Sequence, residues 1–203
     1  AKYLKDGSIK NYSKRAKKFK PRIKARLRKN KQIIGKNIGN FFDWVKGAEL
    51  VELKECNTKE DPVRPELDNT FRRSYGRKIF GVKYKREIHA VMCFAYTNEI
   101  PKSVEELDIM SQDAHLQSTL RGQNVGKIAI AYTVWSRKKG GGKLIVKEVF
   151  NKIKKSNHLN RLVTLSPLTD MAYKFHIKNG AKLISVNETT QNFEYKVIKN
   201  KKY

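Results

Sequence analysis

The sequence predicts an α+β fold, a mixed central sheet flanked by helices, with an extended basic arm ahead of it. Three observations carry that expectation. After Pro62 and Pro65, short apolar runs rich in β-branched and aromatic residues alternate with stretches of helical spacing. A glycine triplet, Gly140-Gly141-Gly142, separates one such run from an amphipathic stretch. Charge is also divided unevenly: residues 1 to 40 hold 15 Lys or Arg against one acid, Asp6, a net +14 that leaves +12 of the total +26 for the rest.

A chain of 203 residues that is 39% hydrophobic suits one modest core with a solvated appendage. Self-repulsion at +26 is tolerated most easily against a polyanion, so nucleic acid is the first expected partner. Membrane is not expected, because no apolar run approaches the length of a spanning helix and the first residues lack the apolar stretch of a signal peptide. A soluble, cytoplasmic protein is the expectation. Cys56 and Cys93 form no CxxC or Cys/His spacing, which predicts free thiols and no metal.

Residues 1 to 40 form the arm. Its cations Lys14, Arg15, Lys17, Lys18, Lys20, Arg22, Lys24, Arg26, Arg28 and Lys29 leave no apolar face wide enough to pack on a core, so they are expected to bind nucleic acid or another polyanion. Residues 41 to 67 read as an amphipathic helix and a linker, since Phe41, Trp44, Val45, Ala48 and Val51 recur at helical spacing. The globular domain follows over residues 68 to 203. Arg77 to Val82 and Glu87 to Thr97 read as strands, the second apolar almost throughout and therefore central. A helix is expected around Ser103 to Met110, then a buried strand from Ile128 to Trp135, the glycine turn, and a helix from Lys143 to Lys155 whose Ile145, Val149 and Ile153 share a face. Arg161 to Leu165 is a strand and Thr169 to Lys178 a helix ended by Asn179-Gly180. Lys182 to Val186 and Asn192 to Val197 close the domain as a hairpin.

The turn Arg137-Lys138-Lys139-Gly140-Gly141-Gly142 joins a buried strand to a helix. Glycines permit close backbone approach, and the helix N-terminus behind them offers N–H groups and a positive dipole end, a combination that suits a pyrophosphate. Arg137, Lys138, Gly140, Gly141 and Gly142 are the candidate cofactor-binding residues. Their R-x-x-G-x-G spacing resembles the pyrophosphate loop by which GNAT acyltransferases hold coenzyme A.

Two later segments narrow the resemblance. Read with the glycine turn, Thr164-Leu165-Ser166-Pro167 and Phe175-His176-Ile177-Lys178-Asn179-Gly180-Ala181 resemble the catalytic domain of malonyl-CoA decarboxylases, itself of GNAT fold. The resemblance implies an acyl-CoA substrate and makes Ser166 and His176 the catalytic candidates. In such a site His176 acts as general acid while Ser166 hydrogen-bonds the departing carboxylate or the thioester carbonyl. The residues alone admit another account: Ser-Pro after a strand is a common helix-start signal, and a histidine one turn before Asn-Gly suits a helix C-terminus electrostatically. His89, His115 and His158 receive no role.

The small GNAT-like domain, basic arm and Lys/Asn-rich composition also resemble proteins of marine bacteriophages, including GNAT-like internal virion proteins of short-tailed phages. That resemblance implies a place in the infected bacterial cytoplasm or a virion, with other virion proteins as partners. Three functions are therefore expected to compete: an acyl-CoA enzyme, either a malonyl-CoA decarboxylase or an acyltransferase using the same loop; a nucleic-acid-binding or virion structural protein that keeps the fold without turnover; and an acyltransferase that its arm targets to a nucleic-acid-bound substrate.

Overall fold

The computed structural model describes residues 28–29, 44–123 and 126–198. Ala1–Gly47 and Ala48–Tyr203 are separate compact units. In the first, Arg28 and Lys29 are helical and exposed, and 44–47 form a helical turn with Trp44 buried. The other cations expected to bind nucleic acid, Lys14 to Arg26, lie outside the described residues.

Among its described residues the second unit holds eight strands, β1 Glu49–Leu53, β2 Lys78–Tyr84, β3 Glu87–Thr97, β4 Ile128–Ser136, β5 Arg161–Thr164, β6 Ser166–Pro167, β7 Lys182–Val186 and β8 Thr190–Tyr195. Four α-helices accompany them: α1 Asn69–Arg73, α2 Val104–Arg121, α3 Gly141–Lys155 and α4 Asp170–Lys178. The strands form one sheet in the order β1-β2-β3-β4-β5-β8-β6, with β7 paired to β8. All pairs are antiparallel except β4 and β5, which the α3 crossover joins in parallel.

Two expected elements need correction. The helix predicted from Phe41 to Val51 ends, within the described residues, at Gly47, and Glu49–Leu53 is instead an edge strand in which Leu50 faces Val82 and Leu53 faces Ile79. Gly47 ends the helix, and the open backbone groups of β2 take the following residues as a ladder partner. The helix predicted from Ser103 to Met110 runs on to Arg121. Ser103 caps it by accepting from the Glu106 N–H at 3.1 Å, and Gly122, at φ 59°, ends it. Its full length carries no clear helical signal in the sequence, because Ile109, Leu116 and Leu120 are exposed and its apolar residues do not gather in one stripe.

On one face of the sheet, Ile79, Val91, Cys93, Ile130, Tyr132 and Val163 form a core with Leu107 of α2, against which Phe71 of α1 packs. The helix α3 buries Leu144, Ile145, Val149 and Ile153, each worth about 1.5–3 kcal/mol relative to exposure. Residues 57–67, expected as linker, are held by a buried pair. Asp61 meets Arg72 at 2.8 Å and accepts from the Thr133 hydroxyl on β4 at 2.7 Å. Arg72 also donates to the carbonyls of Arg64 and Leu67 and to the Cys93 sulfur. Every charge on the pair is thus hydrogen-bonded, as burial requires.

The feature that makes a site is the parting of β4 from β5. They pair only from Ile128 opposite Arg161 to Ala131 opposite Thr164. Beyond that point β4 continues to Ser136 against β3, while the other chain turns away to pair Ser166 with Gln191 of β8. The gap opens into a cleft.

Candidate active site

The cleft encloses a cavity of about 610 Å³, a size suited to a small-molecule ligand. Arg137 and Gly142 line one part of it, Pro62, Val63 and Thr133 a wall, and Thr164, Ser166, His176 and Tyr195 another part. Segments about a hundred residues apart in sequence thus meet here because β4 and β5 part and the 57–68 segment is pinned across β4.

Ser166 stands where the chain leaves β5, with its hydroxyl 2.9 Å from His176 Nε2 and 3.0 Å from Thr164 Oγ1. It does not cap the following helix. Thr169 does, accepting from the Ala172 N–H at 3.3 Å, so the helix-start account of Ser166 gives way. His176 lies on α4, buried to 5% exposure, its ring stacked on Phe193 at 4.9 Å. Burial lowers its pKa from 6.5 to about 4, so the imidazole is neutral at pH 7 and gives no charge to the helix C-terminus. The electrostatic account of His176 therefore gives way as well.

The other ring nitrogen, Nδ1, is 2.9 Å from the Tyr195 hydroxyl, and burial raises the Tyr195 pKa so that it stays protonated. Thr164 Oγ1 also accepts from the Phe193 N–H at 3.2 Å. The result is a buried chain Tyr195, His176, Ser166, Thr164. In one direction the Tyr195 O–H donates to Nδ1, Nε2–H to Ser166 and the Ser166 O–H to Thr164. In the other, Ser166 donates to Nε2 and Nδ1–H to Tyr195. A neutral imidazole allows either, because one ring nitrogen is a donor and the other an acceptor. Tyr195 has no signal in the sequence: its position on β8 makes it inward-facing, but nothing in its spacing marks its hydroxyl.

The glycine turn closes tightly. The Ser136 hydroxyl and the Gly141 N–H both donate to the Lys138 carbonyl, at 2.6 and 2.9 Å. Gly140, at φ 86°, is the N-cap of α3 and supplies no side-chain cap. A Cβ on Gly141 would lie 2.4 Å from Ser136 Oγ, and one on Gly142 3.0 Å from the Phe175 ring. Packing therefore demands glycine at Gly141 before any ligand is considered, whereas a side chain at Gly142 needs the Phe175 ring to give by only a few tenths of an ångström. Of the five candidate cofactor-binding residues, Arg137 and Gly142 line the cavity, while Lys138, Gly140 and Gly141 build the adjoining turn. The Lys138 ammonium lies 5.1 Å from the centre of the Tyr84 ring.

Arg137 is engaged differently from the expectation. Its guanidinium makes a two-point pair with Glu60, Nε to Oε2 at 2.5 Å and an Nη to Oε1 at 2.7 Å. The pair raises the Arg137 pKa and holds the Glu60 carboxyl below its usual range. Glu60 also lines the cavity, so an acid from the presumed linker sits where an anionic ligand would approach. His89 and His115 lie away from the cavity lining, and His158 lines a second cleft. Among the described residues no cluster of His, Cys, Asp and Glu suits a metal ion, and no helix is long and apolar enough to cross a membrane.

Solved structures share this fold. GphF, a GNAT-like decarboxylase solved with isobutyryl-CoA, is similar over 74% of this chain and 100% of its own, with a TM-score of 0.58 at 9% identity. An acetyltransferase of Bacillus subtilis solved with CoA is similar over 74% of this chain and 99% of its own, with a TM-score of 0.50 at 11% identity. The malonyl-CoA decarboxylase of Agrobacterium vitis is similar over 64% of this chain and 36% of its own, with a TM-score of 0.48 at 17% identity. The chain spans about a third of the length of the malonyl-CoA decarboxylases it matches. No protein-family model and no curated protein matches the sequence. The fold is GNAT-like, a largely antiparallel sheet flanked by helices.

Proposed function

We propose that the unit Ala48–Tyr203 binds an acyl-CoA in this cavity and decarboxylates a malonyl-type thioester, with Ser166 and His176 as its catalytic residues. One observation carries the reading: the 2.9 Å hydrogen bond between Ser166 and His176 lies on the lining of a cavity that also reaches the N-terminal turn of α3. Neither side chain is spent on helix capping, and burying an imidazole is costly unless its polar atoms are used. That a GNAT-like decarboxylase of similar fold is solved with isobutyryl-CoA supports the choice of ligand.

The N-terminal N–H groups of α3 and the permissive backbone at Gly140–Gly142 receive the pyrophosphate, and the thioester reaches inward toward Ser166. Loss of carbon dioxide breaks the bond between the carboxylate and the α-carbon and leaves its electron pair on the thioester as an enolate. Apolar walls from Pro62, Val63 and Met92 disfavour the carboxylate relative to neutral carbon dioxide. Ser166 hydrogen-bonds the enolate oxygen and passes its proton to the α-carbon. His176 Nε2–H restores the serine, and one proton taken from solvent restores the imidazole, so the products are carbon dioxide and acetyl-CoA. Tyr195 holds the ring through Nδ1. Because His176 is neutral, it acts as the general acid through Nε2–H and the serine relay.

The same reading assigns the arm, net +14 over residues 1 to 40, to nucleic acid or another polyanion. The enzymatic part is tested by following carbon dioxide and acetyl-CoA from malonyl-CoA. Ser166→Ala and His176→Ala should each slow turnover by roughly a hundredfold or more. Wild-type protein that binds CoA and transfers acetyl groups without releasing carbon dioxide would replace decarboxylation with acyl transfer. Protein that binds no CoA and turns nothing over would leave the fold with a structural role, such as that of a virion protein.

A further inference from the structure

The helices on the two faces of the sheet carry opposite charge. Helix α2, whose Leu107 packs on the face of Cys93, holds Glu105, Glu106, Asp108 and Asp113 against Arg121 alone. Helix α3 covers the other face, where Gly141 adjoins Ala90 and Lys152 the Phe80 ring. From Lys138 to Lys155 the chain has seven lysines and one acid, Glu148, so this stretch supplies +6 of the +12 found beyond residue 40.

All seven lysines are exposed. The helical period sets Lys143, Lys147 and Lys154 in one row along the outward side of α3, about 16 Å from first to last. Among the described residues no carboxylate forms an ion pair with any of these three. The β2–β3 turn adds Lys85 and Arg86, exposed at φ 49° and 69°, in a two-residue hairpin turn that ordinarily favours Asn and Gly. The ammonium groups of Lys85 and Lys138 lie 5.3 and 5.1 Å from the centre of the Tyr84 ring, so this turn adjoins the start of α3.

A helix face kept only for solubility mixes both signs, and the dipole draws cations to the last turn alone. Neither accounts for Lys143 and Lys147 in the first half of α3. A pyrophosphate at Gly140–Gly142 would use the cations beside it, but not Lys154, about 18 Å further along the helix. We propose that the outward face of α3, with the β2–β3 turn beside its start, is a nucleic-acid-binding surface of the folded unit that grips the phosphate backbone. It is a site additional to the arm and does not rest on the acyl-CoA reading. A row of like charges fits a ligand that repeats its own charge along a line, as a phosphate backbone does. A bilayer fits less well: an interfacial helix turns apolar residues outward, whereas no large apolar side chain is exposed between Lys138 and Lys155. The same lack of an aromatic or methionine anchor, with lysine in its place, argues against a protein partner.

Filter binding of the full chain to duplex and single-stranded DNA across a salt series tests the proposal. Two variants with the same change in net charge are compared. One carries Lys143→Gln, Lys147→Gln and Lys154→Gln; the other carries Lys178→Gln, Lys182→Gln and Lys196→Gln, exposed lysines of α4, β7 and the residue after β8. The α3 variant should lower the salt slope by about 2–3 and weaken binding at low salt by more than tenfold, while the control keeps the wild-type slope. Lys85→Gln with Arg86→Gln should lower the slope by about 1–2, an effect that leaves α3 untouched. Circular dichroism like that of wild type confirms that each variant is folded. Equal losses in the α3 and control variants would reduce the effect to net charge and overturn the proposal, as would an unchanged slope in both the α3 and the turn variants. Loss of binding to phosphatidylglycerol vesicles with DNA binding intact would give the face to a membrane instead and overturn it as well.

Discussion

His176 carries a testable signature of its burial. Its pKa is about 4 in the folded protein against 6.5 for an ordinary histidine, so between those values the unfolded chain binds more protons than the folded one. Stability therefore rises with pH across that window. The contribution is fully present above pH 6.5 and is lost as pH falls toward 4, a difference of about 3 kcal/mol from this one group. Urea unfolding of wild type and His176→Phe at pH 7 and pH 4.5 measures it, and the extra acid sensitivity of wild type should disappear in the variant. In activity, the same value implies no loss from His176 protonation between pH 5.5 and 8, whereas an exposed histidine would titrate in that range. Glu60 offers a second test. Because its carboxylate occupies the Arg137 guanidinium, Glu60→Gln should free that cation for a phosphate and tighten CoA binding several-fold by calorimetry. Unchanged affinity would show that Arg137 does not meet the ligand.

The start of α3 shows how one element serves packing and ligand together. Gly141 has its missing Cβ position only 2.4 Å from Ser136 Oγ, so Gly141→Ala must displace the serine that holds the Lys138 carbonyl. A loss of about 1–3 kcal/mol is expected by denaturant unfolding, with weaker CoA binding because the helix start moves. Gly142→Asp adds a negative charge where pyrophosphate is expected and should abolish CoA binding in a protein that stays folded; retained affinity would place the ligand elsewhere. Elements of this kind were legible in the sequence because local pattern determines them. The strand from Glu87 to Thr97 emerged with the bounds expected, and the runs that became β4, α3 and α4 were recognised from apolar period and glycine punctuation. What was not legible depends on tertiary pairing. β1 exists because β2 needs a partner, and Asp61, Arg72 and Thr133 acquire meaning only when distant segments meet over the sheet. Ser166 and His176 stood out through a family resemblance, whereas Tyr195 and Glu60 became visible only through their contacts.

Taken whole, the chain joins two electrostatic regimes, and their separation governs how it should bind polyanions. Residues 1 to 40 hold more than half the net charge, while Ala48–Tyr203 contains the entire described sheet and its cores. Lysine and arginine neutralise phosphates whatever the base sequence, so the polyanion role proposed for the arm predicts binding of DNA and RNA with little sequence preference. Each phosphate contact releases condensed counterions, which makes affinity fall steeply as salt rises. Removing residues 1 to 40 should therefore weaken binding at low salt by more than tenfold and flatten the salt dependence by several contacts. Circular dichroism of the truncated chain should still report the sheet. Filter binding of full-length and truncated protein to single- and double-stranded DNA across a salt series measures both the affinity and its salt slope. If the truncated chain binds duplex as tightly and with the same slope, the cations that matter lie on the folded unit and the arm has another purpose.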